Sequence, residues 1–294
     1  MFNNPNLIGF LAPVSWSFIP VMSYYISNVE TMLVLFVALG FFVILSFVFL
    51  LIKKKIKFLF KENIKFYLLS IFAIFTFHYG YFLALKLAPL IHVFLIINLT
   101  GVFIIFYAKL LHNITIKKEH LLALFFNLSA VLIVAINKNK INDVFEYKYF
   151  GYLAAFIAIN SWAFYSAKIS AYKIKNQFSI IMSCFYVLLI IFIALLIQGN
   201  ISDLALLTLR EFALCCFIGL FAMGGSFLCW NYGMAKGNVS FLAIISYVTP
   251  ILGSLWLVLF KIEIFDYALL IAILLIISAA LIGARAEKGK LTVK

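Results

Sequence analysis

The sequence predicts an all-α integral membrane protein with ten transmembrane helices, arranged as two inverted five-helix repeats. The first reason is composition, because 66% of the 294 residues are hydrophobic and only 11% are charged, whereas a soluble domain carries about 25% charged residues. The second reason is length, since the apolar stretches approach the ~20 residues that a helix needs to cross a bilayer. These stretches are also continuous, whereas the strands of a membrane barrel alternate apolar and polar residues.

The apolar stretches follow one another with no gap long enough for a soluble domain. The first has no basic leader and continues into further membrane-embedded sequence, which indicates a true helix rather than a cleaved signal. Each end is placed to within a few residues. The ten predicted spans are 6–25, 31–52, 66–86, 88–108, 120–136, 150–171, 178–198, 212–233, 238–260 and 267–284.

The basic residues predict the orientation of the chain. The net charge of +13 does not indicate nucleic-acid binding, because the basic residues lie in short loops rather than on one folded face. With the amino terminus inside, sixteen basic residues lie on the cytoplasmic side, many of them in the loop 53–65, and six lie outside. The positive-inside rule therefore places both termini in the cytoplasm. Abundant Lys, Asn, Ile and Phe indicate an AT-rich genome, and the expected location is the cell inner (plasma) membrane of a bacterium.

Short sequence echoes indicate an internal duplication. Residues 15–18 (SWSF) in the first span and 161–164 (SWAF) in the sixth lie 146 residues apart, and residues 100–101 (TG) align with 249–250 (TP) at an offset of 149. The predicted repeats are residues 1–147 and 148–294.

Each repeat has an odd number of spans, so the second copy enters the membrane from the opposite side. Inverted repeats provide two related gates around a site near the midplane, which is typical of secondary transporters. Duplication without transport, as in some membrane enzymes, is the alternative interpretation.

One motif carries a family resemblance. It runs through residues 230–233 (WNYG), 237–239 (GNV) and 246–250 (SYVTP). With the ten-span plan, it resembles the drug/metabolite transporter superfamily, specifically its EamA-type members, and is most similar to the aromatic amino acid exporter branch. That branch has an aromatic residue and a proline beside an Asn-Tyr pair in span four, where this chain reads NLTG at 98–101. The departure weakens the expectation that the substrate is specifically an aromatic amino acid.

The resemblance implies a basket of ten helices whose central cavity is lined by spans one, three, four, six, eight and nine. Polar and amphipathic side chains within these spans support that expectation, because such groups are costly in hydrocarbon and face a cavity or another helix. Bonding to their own backbone and interfacial anchoring are the alternatives. The candidate substrate-binding residues are Trp16, His78, Tyr79, Asn98, Trp162, Trp230, Asn231, Ser246 and Tyr247.

Two further features concern the framework. Gly101 and Pro250 occupy matched positions in spans four and nine and are predicted hinges, since each weakens the local helix. Ordinary kinks or close packing are the alternative. The second span is almost wholly aliphatic and aromatic and is predicted to be lipid-facing scaffold.

Several residue types are missing from the spans. All ten acidic residues fall in loops, tails or span ends, so a proton or sodium relay built on carboxylates has no candidate. Facilitated diffusion or exchange is therefore favoured, with His78 the candidate proton carrier; a satisfied hydrogen-bonding histidine is the alternative. The four cysteines form no CxxC pair and no P-loop is present, so no cofactor, metal site or catalytic residue is predicted.

The leading hypothesis is a secondary transporter that exports or exchanges amino acids by alternating access. An importer of another metabolite, such as a nucleoside, an amine or a cofactor precursor, is the alternative within transport. A membrane-embedded enzyme is the alternative of another class. The expected partners are a small-molecule substrate and the lipid bilayer, without nucleic acid, and both a monomer and a homodimer are compatible with the sequence.

Overall fold

The computed structural model describes residues 4–112, 117–138, 146–171 and 176–288, in which all regular secondary structure is helical and no strand occurs. Short 3-10 turns lie at Ile56–Phe60 and Asn200–Leu206, and a π-helical stretch lies at Ile218–Gly225. The α-helices are α1 (Pro5–Trp16), α2 (Ile19–Tyr25), α3 (Thr31–Ile52), α4 (Ile64–Leu87), α5 (Leu90–Ile97), α6 (Thr100–His112), α7 (Lys118–Lys138), α8 (Lys148–Ala171), α9 (Ser179–Gln198), α10 (Leu209–Phe217), α11 (Ser226–Lys236), α12 (Val239–Ile245), α13 (Val248–Leu259) and α14 (Tyr267–Lys288). Five basic residues counted in the predicted orientation lie outside the described ranges: Lys140, Lys173, Lys175, Lys290 and Lys294.

Seven helical stretches within the described ranges are long and apolar enough to cross a membrane. They are Pro5–Tyr25, Thr31–Ile52, Ile64–Leu87, His92–Leu111, Ser179–Gln198, Leu209–Lys236 and Phe241–Leu259. This confirms an all-α membrane protein. The helices α7, α8 and α14, predicted as spans five, six and ten, are not among the seven. Polar residues such as Asn160 and Ser161 lower the hydropathy of α8, and the apolar part of α14 is limited to Tyr267–Gly283.

The helices pack in pairs that correspond between the two halves of the chain. The third predicted span packs on the sixth, as α4 on α8, and the first packs on the eighth, as α1 on α11. Each span has a counterpart five spans away in the other half of the chain. The counterparts of spans three and six are spans eight and one, so the two pairs are equivalent. The helix α7 packs on α14, and α3 packs on α9. In each of these two pairs, one helix is the counterpart of the other in the opposite half of the chain.

Small residues allow the closest of these pairs to form. At the α1–α11 crossing, a Cβ atom added to Gly233 would lie 2.7 Å from the Cα atom of Gly9. At the α4–α8 crossing, a Cβ atom added to Gly80 would lie 3.0 Å from the carbonyl oxygen of Ala154. Helices in lipid associate largely through such close packing, because lipid tails are as apolar as the side chains.

The prediction that span two faces lipid is wrong for one side of α3. Phe42 is only 2% exposed, and a Cβ atom added to Gly224 would lie 1.8 Å from its ring. The prediction is confirmed for the other side of α3, where Ile44 and Phe49 are 62% and 50% exposed. A uniformly apolar helix gives no polar contrast that marks its buried side, so the sequence alone does not separate the two.

Three predicted spans are each broken into two helices. The breaks lie between α1 and α2, between α5 and α6, and between α12 and α13. At each one a side chain donates a hydrogen bond to a carbonyl of the preceding turn, which stabilises the backbone beside the break. These bonds are Ser17 Oγ to Val14 O (2.7 Å), Asn98 Nδ2 to Phe94 O (2.6 Å) and Ser246 Oγ to Ala243 O (2.6 Å).

Candidate functional site

The broken helices surround a central cavity. It is formed by α1, α2, α4, α5, α6, α8, α11 and α13 and by the breaks within spans four and nine. None of its lining residues carries a formal charge. The cavity has a volume of about 60 Å³ and is lined by Trp16, Ile19, Phe77, His78, Tyr81, Phe94, Ile97, Asn98, Thr100, Gly101, Ile104, Trp162, Phe227, Trp230, Ser246 and Thr249.

Three tryptophans from different helices form one wall of this cavity. The ring centroids of Trp16 and Trp230 are 5.0 Å apart, and those of Trp16 and Trp162 are 5.9 Å apart with the planes nearly perpendicular. Phe77 and Phe227 each lie 5.4 Å from Trp162. Tilted and edge-on contacts at these distances are favourable for aromatic pairs. The wall is therefore a packed aromatic cluster that spans α1, α4, α8 and α11.

The indole N–H groups of this cluster have different partners. Trp16 Nε1 donates to Ser226 Oγ at 2.9 Å, and Trp230 Nε1 donates to Ser166 Oγ at 3.0 Å. The indole of Trp162 makes no hydrogen bond with any residue that the structure describes. Its N–H is thus a donor in the cavity wall that remains available to a bound molecule.

Ser226 ties the cluster to the π-helical stretch. Its hydroxyl donates to the carbonyl oxygens of Ala222 (2.7 Å) and Met223 (3.0 Å), while its oxygen accepts from Trp16. The wider turn of a π-helix leaves carbonyls without their usual α-helical partners, and such stretches are frequent at functional sites. The position of Trp16 therefore depends on the local geometry of this stretch.

His78 and Asn98 provide acceptors beside the aromatic wall. His78 Nδ1 lies 2.8 Å from the carbonyl oxygen of Ile74, which can only accept, so Nδ1 carries the proton and Nε2 of the neutral ring is an acceptor. The amide nitrogen of Asn98 donates to Phe94, which leaves its amide oxygen as an acceptor. The cavity thus combines aromatic faces with a few uncharged hydrogen-bonding groups.

Most of the predicted site residues come together in this cavity. Seven of them line it: Trp16, His78, Asn98, Gly101, Trp162, Trp230 and Ser246. The other four, Tyr79, Asn231, Tyr247 and Pro250, do not. Each of the four directly follows a cavity-lining residue in sequence. Consecutive helical residues point about 100° apart, since a turn contains 3.6 residues, so the residue after a lining residue can face another helix instead of the cavity.

The contacts of these neighbours explain their placement. Tyr79 stacks on Phe75 with centroids 5.5 Å apart, and Asn231 accepts a hydrogen bond from the hydroxyl of Tyr165 at 2.9 Å. Tyr247 is 2% exposed and packs behind Gly101. These side chains therefore pack behind the walls of the central cavity, and their part in substrate binding stays a prediction.

The lining residues that sequence reasoning left out are mostly apolar. Ile19, Phe77, Phe94 and Phe227 carry no polar group whose cost in lipid would mark them. The only available signal is helical spacing. Phe227 precedes Trp230 by three residues and therefore shares its face of α11.

The central cavity is narrow between its aromatic side chains. Its volume of about 60 Å³ is well below the roughly 300–1,000 Å³ of ordinary small-molecule pockets. A ligand as large as an amino acid fits only when the aromatic side chains or their helices move apart.

In membrane proteins, a cavity between broken helices is typical of transporters. The EamA-like transporter family matches residues 4–136 and 149–284, and the chain belongs to this family. This confirms the resemblance noted in the sequence, and with it the drug/metabolite transporter assignment.

Two comparisons with individual proteins agree with the family. The chain is 26% identical over 214 residues to the aromatic amino acid exporter YddG of Ancylobacter novellus, covering 71% of this chain and 72% of that protein. A protein of known crystal structure matches with a TM-score of 0.82 and 22% identity, over 98% of this chain and 99% of that one. At that identity the structural match shows a shared fold.

Proposed function

We propose that this protein is a secondary transporter that exports or exchanges amino acids with flat or apolar side chains by alternating access. The observation that carries the proposal is the narrow central cavity walled by Trp16, Trp162 and Trp230. Aromatic faces suit an apolar side chain, and a small number of placed polar groups suits the polar end of a ligand. Membership of a transporter family and similarity to an aromatic amino acid exporter support the same conclusion.

Alternating access rests on a proposed pair of inverted repeats, residues 1–147 and 148–294, with ten spans in all. Three observations support it. The family matches two separate segments of similar length, the helix pairs exchange between halves, and the Asn98 and Ser246 breaks lie 148 residues apart (246 minus 98). In such an arrangement the two halves exchange conformations and expose the cavity to each side in turn.

The predicted hinges lie next to two of the breaks. A Cβ atom added to Gly101 would lie 2.8 Å from the carbonyl oxygen of Ala243 and 3.2 Å from Ser246 Oγ, so spans four and nine cross where both are broken. Pro250 lies in the first turn of α13 and has no N–H to donate. We propose that Gly101 and Pro250 permit the two spans to change their angle at this crossing.

Counterflow in liposomes tests the function. Liposomes that contain the purified protein and are loaded with unlabelled phenylalanine are expected to accumulate labelled phenylalanine. No sodium gradient should be needed, because the cavity lining contains no carboxylate to hold a sodium ion. Labelled nucleosides and amines serve as comparison solutes. Accumulation of only a nucleoside or an amine, or a steep sodium requirement, would contradict the proposal. Proton stimulation, if observed, should be lost in His78→Gln while counterflow persists.

We also propose that the protein lies in a cell inner membrane with both termini cytoplasmic. Lys57 and Lys261 are both exposed, so labelling at either position reports the side of the membrane rather than burial. In intact cells, an impermeant maleimide is expected to label Lys261→Cys and to leave Lys57→Cys unmodified. The native cysteines provide the background, since Cys184, Cys215 and Cys216 are buried and Cys229 is half-buried. The reverse labelling pattern would invert the orientation.

A further inference from the structure

A second cavity lies where α4 ends and α5 begins. It has a volume of about 470 Å³, and its lining includes Ser23, Thr31, Phe82, Lys86 and Leu90. We refer to it as the Lys86 pocket. None of the candidate residues predicted from the sequence belongs to it.

The Lys86 pocket is stacked on the central cavity along the helix axes. In α2, Ile19 lines the central cavity and Ser23 lines the Lys86 pocket. The same change occurs from Tyr81 to Leu85 in α4, and from Phe94 back to Leu90 in α5. Each step is four residues, which is about 6 Å along a helix. The pocket therefore lies about one helical turn from the central cavity, toward the end of α4.

Two buried hydroxyl groups in this pocket lack a well-formed hydrogen bond. Ser23 and Thr31 are 5% and 3% exposed. The Thr31 hydroxyl has no partner among the residues that the structure describes, and the Ser23 hydroxyl lies near that of Tyr81 without a well-formed hydrogen bond. Buried polar groups are almost always hydrogen-bonded, so an unpaired one calls for an explanation. Two such groups in the lining of one pocket are donors that a bound acceptor would satisfy.

Lys86 adds a positive charge to these donors. It forms no salt bridge within the described part of the chain. Glu30 acts on it electrostatically, but the Glu30 carboxylate is used to cap α3 by accepting the N–H of Leu33 at 3.0 Å. A second cation lies near this end of the bundle, since the guanidinium of Arg210 is 4.5 Å from the ring centroid of Tyr25.

We infer that the Lys86 pocket binds the carboxylate of the transported solute, as a second station between the central cavity and the membrane surface; the inference rests on the proposed function. An ammonium and two hydroxyl donors match a carboxylate acceptor, and bonds to charged groups are the stronger class. Phe82, Leu85 and Leu90 give the solute an apolar surface. Because the central cavity has no cationic side chain, this pocket selects solutes that carry a carboxylate.

A cysteine at the pocket tests the inference without requiring transport. Ser27 lines the pocket and is exposed, so Ser27→Cys provides a reporter that a maleimide can reach. With the protein in nanodiscs, phenylalanine and 3-phenylpropionate are expected to slow labelling of this cysteine. Phenethylamine, which has the ring and the amine but no carboxylate, is expected to leave the labelling rate unchanged. The rate of the protein without Ser27→Cys is subtracted.

Lys86 variants in this background identify the group responsible. Lys86→Gln is expected to raise the half-protecting concentration of 3-phenylpropionate about tenfold or more, and Lys86→Arg to preserve protection. Lys261→Gln, which removes an exposed lysine from the loop before α14, is the matched control and should have no effect. Equal protection by phenethylamine, or protection that survives Lys86→Gln, would overturn the inference. Counterflow without protection contradicts the pocket alone, whereas protection without counterflow contradicts the proposed function and leaves the pocket standing.

Discussion

Trp162→Ala is expected to raise the apparent KM for amino acid counterflow about tenfold or more, which corresponds to roughly 1.4 kcal/mol of lost binding. Trp162 lies at the centre of the aromatic wall, with ring contacts to Trp16, Phe77, Tyr165 and Phe227 at 5.3–5.9 Å. Removing its ring takes away a face on which an apolar side chain packs. An aromatic contact contributes about 0.5–1.5 kcal/mol beyond the area that it buries.

A second variant separates binding from folding. Trp162 is 3% exposed, so alanine also leaves a void in the core. Trp162→Phe keeps an aromatic ring but removes the indole N–H, which makes no hydrogen bond with the described residues. If that N–H binds the solute, Trp162→Phe should raise the apparent KM about two- to tenfold, the effect of a hydrogen bond worth ~0.5–1.5 kcal/mol.

The control is a phenylalanine that faces lipid. Phe49 in α3 is 50% exposed, whereas Phe42 on the same helix is buried and is unsuitable. Phe49→Ala is expected to leave the apparent KM unchanged, with all variants compared as purified protein of equal monodispersity. Equal effects of Phe49→Ala and Trp162→Ala would contradict the placement of the substrate in the central cavity and leave the family assignment intact.

Apolar length predicted several helices closely. The predicted spans 31–52 and 178–198 correspond to α3 (Thr31–Ile52) and α9 (Ser179–Gln198). Apolar length did not predict the breaks within spans: spans 6–25 and 238–260 each contain two helices. A break survives in a membrane only where neighbouring helices or side chains satisfy the freed carbonyls. A long-range contact beside one break comes from Thr249, whose hydroxyl donates to the carbonyl oxygen of Pro13 at 2.9 Å, across 236 residues of sequence.

The polar-residue rule found part of the site for a similar reason. It selected His78 and Tyr79 together, although only His78 lines the central cavity. Which of two adjacent residues faces inward is set by the rotation of the helix, and that rotation depends on packing with α8. The same rule did not select Lys86 as a candidate site residue, because lysines near span ends ordinarily extend to the interface. Lys86 becomes a candidate ligand-binding residue only because it shares a pocket with Ser23 and Thr31, which belong to other helices.

Gly219→Ala is expected to destabilise the protein strongly. Gly219 lies in the π-helical stretch where span eight meets α3, and a Cβ atom there would lie 2.0 Å from the carbonyl oxygen of Ala38. The obstacle is backbone rather than a flexible side chain, so α3 and span eight must separate. Overpacking usually costs about 1–3 kcal/mol, and we expect the upper end, seen as a lower melting temperature and less monodisperse protein in detergent.

Gly40→Ala is the matched control on the same helix as Ala38. Its added Cβ atom would meet only Leu188 Cδ1, at an ordinary contact distance of 3.8 Å. Alanine is also favoured over glycine in a helix by about 1 kcal/mol, so Gly40→Ala should match or exceed the melting temperature of the unsubstituted protein. The two variants make the same chemical change, and only Gly219→Ala forces backbone apart. Equal melting temperatures for both would therefore mean that α3 and span eight do not approach each other this closely in the folded protein.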